Sequence, residues 1–351
     1  MSKKITMADI ASELDISVNA VSLALNGKKG VSETTRSKVF NVAEKLGYFT
    51  DKPKYIQAVK NKTICLITRR RYFSDPSFYS KMILGIQEQA ALEGYSILVE
   101  LLDVDDSVLL FKEPEDIPKS IKEKLVSGAV IMGAVSDEYL EKIYQTGIPI
   151  VLVDHKSSKF NVDSVMSANE DGTYQLTQYL LNQGYREIGF FGDFDYSVSI
   201  KERYLGVLKA LYEFFDDKSY ILTQKRLNKY SVLHDLEFNI IDKNYDVIWH
   251  KLKQIEKLPE VFICSNDYAA SVLIDVLRRH SIHIPGEVAV AGFDNSLPAV
   301  QHNKLITTVN VSKKALGREA IRRLAWKIKN PQAMSTRISI QTELVIRKTT
   351  K

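Results

Sequence analysis

Apolar and polar positions along this chain follow two different rhythms, and the change comes near residue 63. Up to Tyr48 the apolar residues recur at helical spacing. They are Ala8, Ile10, Ala11 and Leu14, then Val18, Val21, Ala24 and Leu25, then Val39, Phe40, Ala43 and Leu46. Thr6, Ser17 and Ser32 stand where helix caps belong, because their hydroxyls can take the free N–H groups of a first turn. Asn26-Gly27 and Gly47 supply stops. Only Asp15-Ile16 separates the first two helices, so they are predicted to meet at a tight turn. Three short helices that each bury one face make a small bundle with little core, marginal by itself.

From Thr63 the rhythm becomes short apolar runs alternating with helical stretches. The runs are Thr63–Thr68, Ile97–Leu102, Ala129–Met132, Ile148–Val153, Ser164–Met166, Ile188–Phe191, Val261–Cys264 and Val288–Ala291. Between them lie Tyr79–Gly94, Asp137–Gly147, Gly172–Gly184, Lys201–Phe215 and Ala269–Ser281 as helices. This alternation predicts parallel sheets wrapped by helices, and the number of repeats predicts two similar α/β lobes. Ligands of such folds sit at the carboxyl ends of the strands, here the cleft between the lobes. The domains expected are therefore 1–49, a basic joint at 50–62 containing Pro53, and 63–351.

Charge divides the chain at the same place. Through Lys62 there are 11 Lys and Arg against 6 Asp and Glu, while the remainder balances at 37 and 37. All the excess positive charge thus lies on the helical head and the joint, as a phosphate-binding surface requires. The chain is 45% apolar, which suits a soluble globular protein. It has no apolar run of about 18 residues, so no membrane partner is expected. Met1-Ser2-Lys3-Lys4 is not followed by an apolar stretch, so no secretory signal is expected. Cys65 and Cys264 stand alone in apolar runs and read as packed thiols of a reducing cytoplasm. Gly-rich phosphate loops, metal-spaced His clusters and Ser-His-Asp arrangements are missing, so neither an enzyme nor a cofactor or metal is expected. A pure solute-binding protein is the other alternative, and it would need a secretory signal.

In order and spacing the chain resembles the lactose-repressor (LacI/GalR) family of transcription regulators. The head carries Ile10-Ala11, Ile16-Ser17-Val18, Ala20-Val21-Ser22, Leu25-Asn26-Gly27, Val31-Ser32-Glu33-Thr34-Thr35-Arg36 and Leu46-Gly47-Tyr48. The larger part carries Gly85-Ile86, Gly94-Tyr95, Pro149-Ile150-Val151-Leu152-Val153-Asp154 and Asn169-Glu170-Asp171-Gly172. It continues with Gly184-Tyr185-Arg186-Glu187-Ile188, Ser265-Asn266-Asp267, Gly292-Phe293-Asp294, Leu305-Ile306-Thr307-Thr308-Val309 and Glu343-Leu344. The resemblance implies a small all-α helix-turn-helix head joined to an α/β effector domain of two periplasmic-binding-protein-like lobes. It implies a cytoplasmic homodimer, nucleoid-associated when DNA-bound, that represses from a near-palindromic double-stranded operator and answers to a small-molecule effector. A protein corepressor is left open. The family crosses between lobes three times. Mapped here, lobe 1 is 63–162 and 293–309, and lobe 2 is 163–292 and 310–351.

In the head, Val18 and Asn19 sit just after the cap, at the end of the second helix that meets bases, and Asn can pair with adenine through two hydrogen bonds. Ser17, Ser22, Asn26 and Lys28 are placed for phosphates. Leu23 stands where the family usually has Arg, and it can touch a thymine methyl but form no hydrogen bond. The joint lacks the family's usual hinge-helix pattern, and Ile56, ahead of Ala58 and Val59, is the residue expected to wedge into the minor groove. For the effector, the resemblance points to Asp154, Arg203, Asn266, Asp267 and Asp294, a set of hydroxyl-binding forks suited to a sugar, sugar phosphate or nucleoside. Tyr72, Phe73, Phe78 and Tyr79 fall between the first strand and its helix, either to stack on a ligand ring or simply to cover the lobe. Arg69-Arg70-Arg71 follows the first strand. It is either a solvated run or the seat of an anionic effector, with Arg69 the first candidate contact.

Overall fold

A computed structural model describes residues 5–25, 30–46, 48, 62–102, 116–216, 219–301 and 305–351. The chain falls into two compact units, Met1–Thr63 and Ile64–Lys351. The first unit holds α1 (Met7–Leu14), α2 (Val18–Leu25) and α3 (Glu33–Lys45). Thr6 and Asp9 cap each other's backbone at the start of α1, Ser17 Oγ accepts from Ala20 N–H, and Ser32 Oγ accepts from Thr35 N–H. Three of the expected caps are thus in use. The core is Ile10, Ala11, Val21, Ala24, Val39, Ala43 and Tyr48. Asp15 makes the turn in left-handed conformation, φ 52°, which a short polar side chain tolerates.

The second unit begins with β1 (Thr63–Arg69), α4 (Arg70–Phe73), α5 (Tyr79–Leu92), β2 (Ser96–Leu102), α6 (Lys119–Lys122) and β3 (Gly128–Met132). It goes on through α7 (Asp137–Tyr144), β4 (Ile150–Val153), β5 (Asp163–Ser167), α8 (Asn169–Asn182), β6 (Ile188–Phe191) and α9 (Val198–Phe215). Then come α10 (Tyr220–Lys229), α11 (Glu237–Ile241), α12 (Tyr245–Leu252), β7 (Val261–Cys264), α13 (Asp267–Arg279) and β8 (Ala289–Ala291). The chain closes with β9 (Thr308–Asn310), α14 (Lys313–Lys329), β10 (Arg337–Ile340) and β11 (Glu343–Val345).

Two sheets result. The first has the order β2-β1-β3-β4-β5-β10, with the β1–β3, β3–β4, β4–β5 and β5–β10 pairs parallel. The second is β6-β7-β8, also parallel, and β9 pairs antiparallel with β11. Strand residues alternate between faces. Ile64, Leu66, Val130 and Val151 pack toward α5 and α14, whereas Cys65, Ile67, Ala129 and Leu152 pack toward α7. Both faces of each parallel sheet are covered, which is why these strands read as continuous apolar runs. Cys65 and Cys264 are buried and free, and burial raises both thiols, Cys65 to about 12, so neither is a reactive thiolate.

The strand pairings correct the expected division into lobes. β5 pairs with β4, so 163–167 belongs to the first sheet and not to the second lobe. The segment 313–340 also belongs to the first lobe, since α14 packs on α5 and β10 pairs with β5. Conversely, 293–309 lies with the second lobe: the turn after β8 packs on α13, and Ala291 bridges Thr307. The three passages between lobes therefore follow β5, β9 and β10. Strands of three or four residues, such as β9 and β10, carry too few side chains to reveal which sheet they join.

Helices α5 and α14 meet through two glycines. A Cβ at Gly85 would lie 2.3 Å from the Lys314 carbonyl oxygen, and one at Gly317 would lie 2.2 Å from that of Met82. Backbone stands in both places, so neither helix can yield by rotating a side chain. Gly85→Ala and Gly317→Ala are each expected to lower stability by about 1–3 kcal/mol, the usual cost of overpacking. Urea unfolding of the full chain checks this, and an unchanged midpoint would mean that the helices slide apart freely.

Candidate functional site

In the first unit, α2 presents its first turn outward. Val18 is 49% exposed and Asn19 is also exposed, whereas Val21 and Ala24 on the opposite face are buried. Ser17 spends its hydroxyl on the cap, which leaves its oxygen at the helix start. Ser22 and Leu23 are half-buried, and Leu23 Cδ1 lies against Gly30. Arg36 was read in the sequence only as part of a motif, without a role at the end of α2. Its Nη1 donates to the Ala24 carbonyl at 2.8 Å and so closes the far end of α2. Asn26, Lys28 and Ile56 lie outside the described residues.

In the second unit, a cavity of about 480 Å³ opens at the carboxyl ends of both sheets. One wall comes from the first lobe: Arg71, Tyr72 and the run from Asp75 to Tyr79 after β1, Ala134 after β3 and Asp154 after β4. The other comes from the second lobe: Tyr196, Ser199 and Arg203 after β6, then Glu237, Asn266 and Tyr268, and Asp294 and Ser296 after β8. Parallel strands place their following loops on one edge, so this is where such sheets hold ligands.

Asp154 sits at the lobe boundary in a positive-φ turn, φ 55°. Its Oδ2 accepts from Tyr79 Oη at 3.0 Å within the first lobe, and its Oδ1 accepts from Ser199 Oγ at 2.9 Å across the cleft. Burial raises its carboxyl, while Arg203 and these two hydroxyls act the other way. Arg203 is buried. Its Nε donates to Asn169 Oδ1 at 3.0 Å, its Nη1 donates to the Ser265 carbonyl at 2.6 Å, and its Nη2 lies 3.2 Å from Asp294 Oδ1. The guanidinium also stands 3.9 Å from the centre of the Phe293 ring. Burial pushes the Asp294 carboxyl up to about 6, against the pull of Arg203 and Lys313.

The structure separates the arginine run. Arg69 is buried, and its Nε donates to the Ala134 carbonyl at 3.2 Å, so it does not line the cavity. Arg70 faces solvent. Only Arg71 lines the cavity, its Nη2 donating to Tyr72 Oη at 3.1 Å and to Tyr196 Oη. The short helix α4 turns successive side chains in different directions, which a count along the sequence cannot foresee. Tyr72 and Phe78 do line the cavity, and Tyr72 stacks on Tyr79 with centroids 4.3 Å apart. Phe73 is turned away and exposed.

Asp267 is also corrected. It is fully buried and faces away from the cavity. Its carboxylate accepts from Ser296 N–H at 2.6 Å and Thr308 Oγ1 at 2.6 Å, and so ties α13 to β9 and the turn after β8. Burial and the nearby Asp294 push it up to about 7, against the hydrogen bonds from Thr308 and Ser296. Asn266 lines the cavity, yet its Oδ1 caps α13 by accepting from Ala269 N–H at 2.8 Å. Ser199, Tyr196 and Glu237 were missed. Ser199 follows a cap residue, Ser197, that a closer reading could have found, but Glu237 lies in a stretch without periodicity and carries no signal.

Comparison with known proteins follows this division. The model of bacterial regulatory proteins of the lacI family matches residues 6–51, and that of the periplasmic binding protein-like domain matches residues 177–350. The chain is 25% identical to the HTH-type transcriptional repressor PurR of Vibrio parahaemolyticus, over 99% of this chain and 98% of that protein. It is 27% identical to the HTH-type transcriptional regulator RegA of Clostridium saccharobutylicum, over 98% and 99%. Among solved structures, the transcriptional regulator CelR in complex with cellobiose aligns with a TM-score of 0.66 at 21% identity, covering 98% of this chain and 99% of that one.

Two outcomes are expected from the buried charges. Arg203→Ala would leave Asp294 buried without its counter-ion, and it should cost about 3–5 kcal/mol in denaturant unfolding. Loss of less than about 1 kcal/mol would mean that water enters and solvates Asp294. Second, Glu237 is pushed from an ordinary 4.5 up to about 7 by burial and Asp193, against Arg71 and Arg203 and with Asp294. An acid whose folded value is raised stays protonated longer in the folded state. The stability penalty is therefore absent below about pH 4.5, grows as pH rises, and is complete above about pH 7. The melting temperature should fall across that window, and Glu237→Gln should flatten the fall. An identical slope in the variant would assign the effect to Asp267 and Asp294.

Proposed function

The chain belongs to the lacI family of bacterial regulatory proteins, and from that premise we propose that it is a homodimeric repressor whose grip on a near-palindromic operator is set by a small hydroxylated ligand held between the lobes of each effector domain. Its relatives are named as repressors and regulators, so its activity is binding and not turnover. The head supplies the DNA contact. The outward first turn of α2 supports Val18 and Asn19 as base readers, with Ser17 and Ser22 on the backbone. Leu23, half-buried against Gly30, adds at most an apolar edge.

The observation that carries the ligand reading is the pair of hydrogen bonds at Asp154. One comes from each lobe, inside a cavity built from both. A ligand there touches both walls, prefers one lobe arrangement, and so shifts the balance between them. The charges favour a neutral or cationic ligand over a sugar phosphate: Asp75, Asp154, Glu237 and Asp294 line the cavity against Arg71 and Arg203. Rings at Tyr72 and Tyr79 suit the flat face of a sugar, and a regulator of the same fold is known in complex with cellobiose.

Selection of bound sites from random DNA with the full chain is expected to return a palindrome with two equivalent half-sites. Asn19→Ala should lose about 1–3 kcal/mol per half-site and relax one symmetric base position. A single asymmetric site would remove the dimer, and an unchanged profile would remove Asn19. A ligand with about a 100-fold preference for one lobe arrangement should move operator affinity by no more than about 2.7 kcal/mol per site, read by fluorescence anisotropy.

A further inference from the structure

Three of the four carboxylates that line the cavity already have donors or a counter-ion. Asp75 accepts from the backbone N–H groups of Phe78 and Tyr79, Asp154 accepts from two hydroxyls, and Asp294 faces Arg203. Glu237 is different. It is 6% exposed, and its Oε2 is buried without a hydrogen-bond partner. Asp294 Oδ1, although 3.2 Å from Arg203 Nη2, is also out of line for a hydrogen bond. A buried acceptor left open in this way destabilises the fold, and a ligand that donates to it recovers that loss. Aromatic rings stand around the same space at Tyr72, Tyr79, Tyr196 and Tyr268. Open carboxylate oxygen together with aromatic faces is the chemistry that recognises an ammonium group.

We propose that Glu237 is the specificity-determining residue of the cavity and that its ligand is a hydroxylated amine of the amino-sugar class, with the ammonium against Glu237 and the hydroxyls against Asp154 and Asp294. This rests on the effector reading above. Burial and Asp193 push the Glu237 carboxyl up to about 7, against Arg71 and Arg203 and with Asp294, so a cation beside it restores the charge that burial suppresses.

The test uses the full chain and matched pairs of glucosamine and glucose, galactosamine and galactose, and mannosamine and mannose, by isothermal titration near pH 7, where the amines still carry their proton. At least one amine should bind about tenfold or more tighter than its parent sugar. Glu237→Gln should bring that pair within about twofold, whereas Glu237→Asp, which keeps the charge, should retain part of the preference. Parent sugars binding as tightly as the amines, no binding by any of the six, or a preference that survives Glu237→Gln would each overturn the proposal. Ile241→Trp, which adds bulk to the cavity wall, separates the two readings. Sugar binding lost in that variant without any amine preference removes only the role of Glu237. Binding that survives it places the ligand elsewhere and removes the cavity as well.

Discussion

The buried guanidinium of Arg203 joins Asn169 at the start of α8, the Ser265 carbonyl after β7, and Phe293 and Asp294 after β8. These segments are far apart in the chain and adjacent only at the carboxyl edge of the second sheet. Five donors in a rigid plane can serve several such acceptors at once, and Lys could not reproduce that fork. The cost of burying the charge is offset by Asp294 and by the two hydrogen bonds. Asp294 itself turns with φ 104°, a conformation that an L-residue holds only when its surroundings demand it. Its backbone carbonyl also accepts from Lys313, at the start of the helix that returns to the first lobe. The cavity wall is therefore rigid where it is most charged.

Against that rigid wall, the lobes are also linked by polar side chains, among them the Lys156–Glu202 ion pair beside the cleft. Asp154 to Ser199 and Arg71 to Tyr196 cross the cleft at the cavity itself. Both are polar contacts of groups that a ligand with hydroxyls would also engage. A rigid wall joined to the opposite lobe by exchangeable hydrogen bonds is what a ligand-set equilibrium requires, because the ligand's contacts can replace the ones that are lost. The reciprocal glycines Gly85 and Gly317 hold α14 firmly to the first lobe, so movement at the passages after β9 and β10 is confined to short segments.

The helical head was legible almost residue by residue, because caps and apolar faces are local signals: Thr6, Ser17 and Ser32 all cap as their positions imply. The alternation of strands and helices was legible for the same reason. The division into lobes was not, since it rests on which sheet β5, β9 and β10 join. At the cavity, Asp154, Arg203 and Asp294 came from motif resemblance and line it together. Arg69 and Asp267 were misjudged, each by the direction of one side chain at the end of a strand or the start of a helix.

By itself, then, the sequence determined the kind of protein this is: a basic helix-turn-helix head, a neutral two-lobed α/β domain, and a strand edge able to hold a ligand. Those properties follow from periodicity, capping and charge, which act between residues close in the chain. Only the tertiary structure decided that Glu237 lines the cavity and keeps a buried oxygen without a hydrogen-bond partner, that Arg71 and not Arg69 faces it, and that Asp267 holds the scaffold behind it. These are outcomes of packing between distant segments, where a rotation of one residue along a helix turns a side chain from solvent or core into the site.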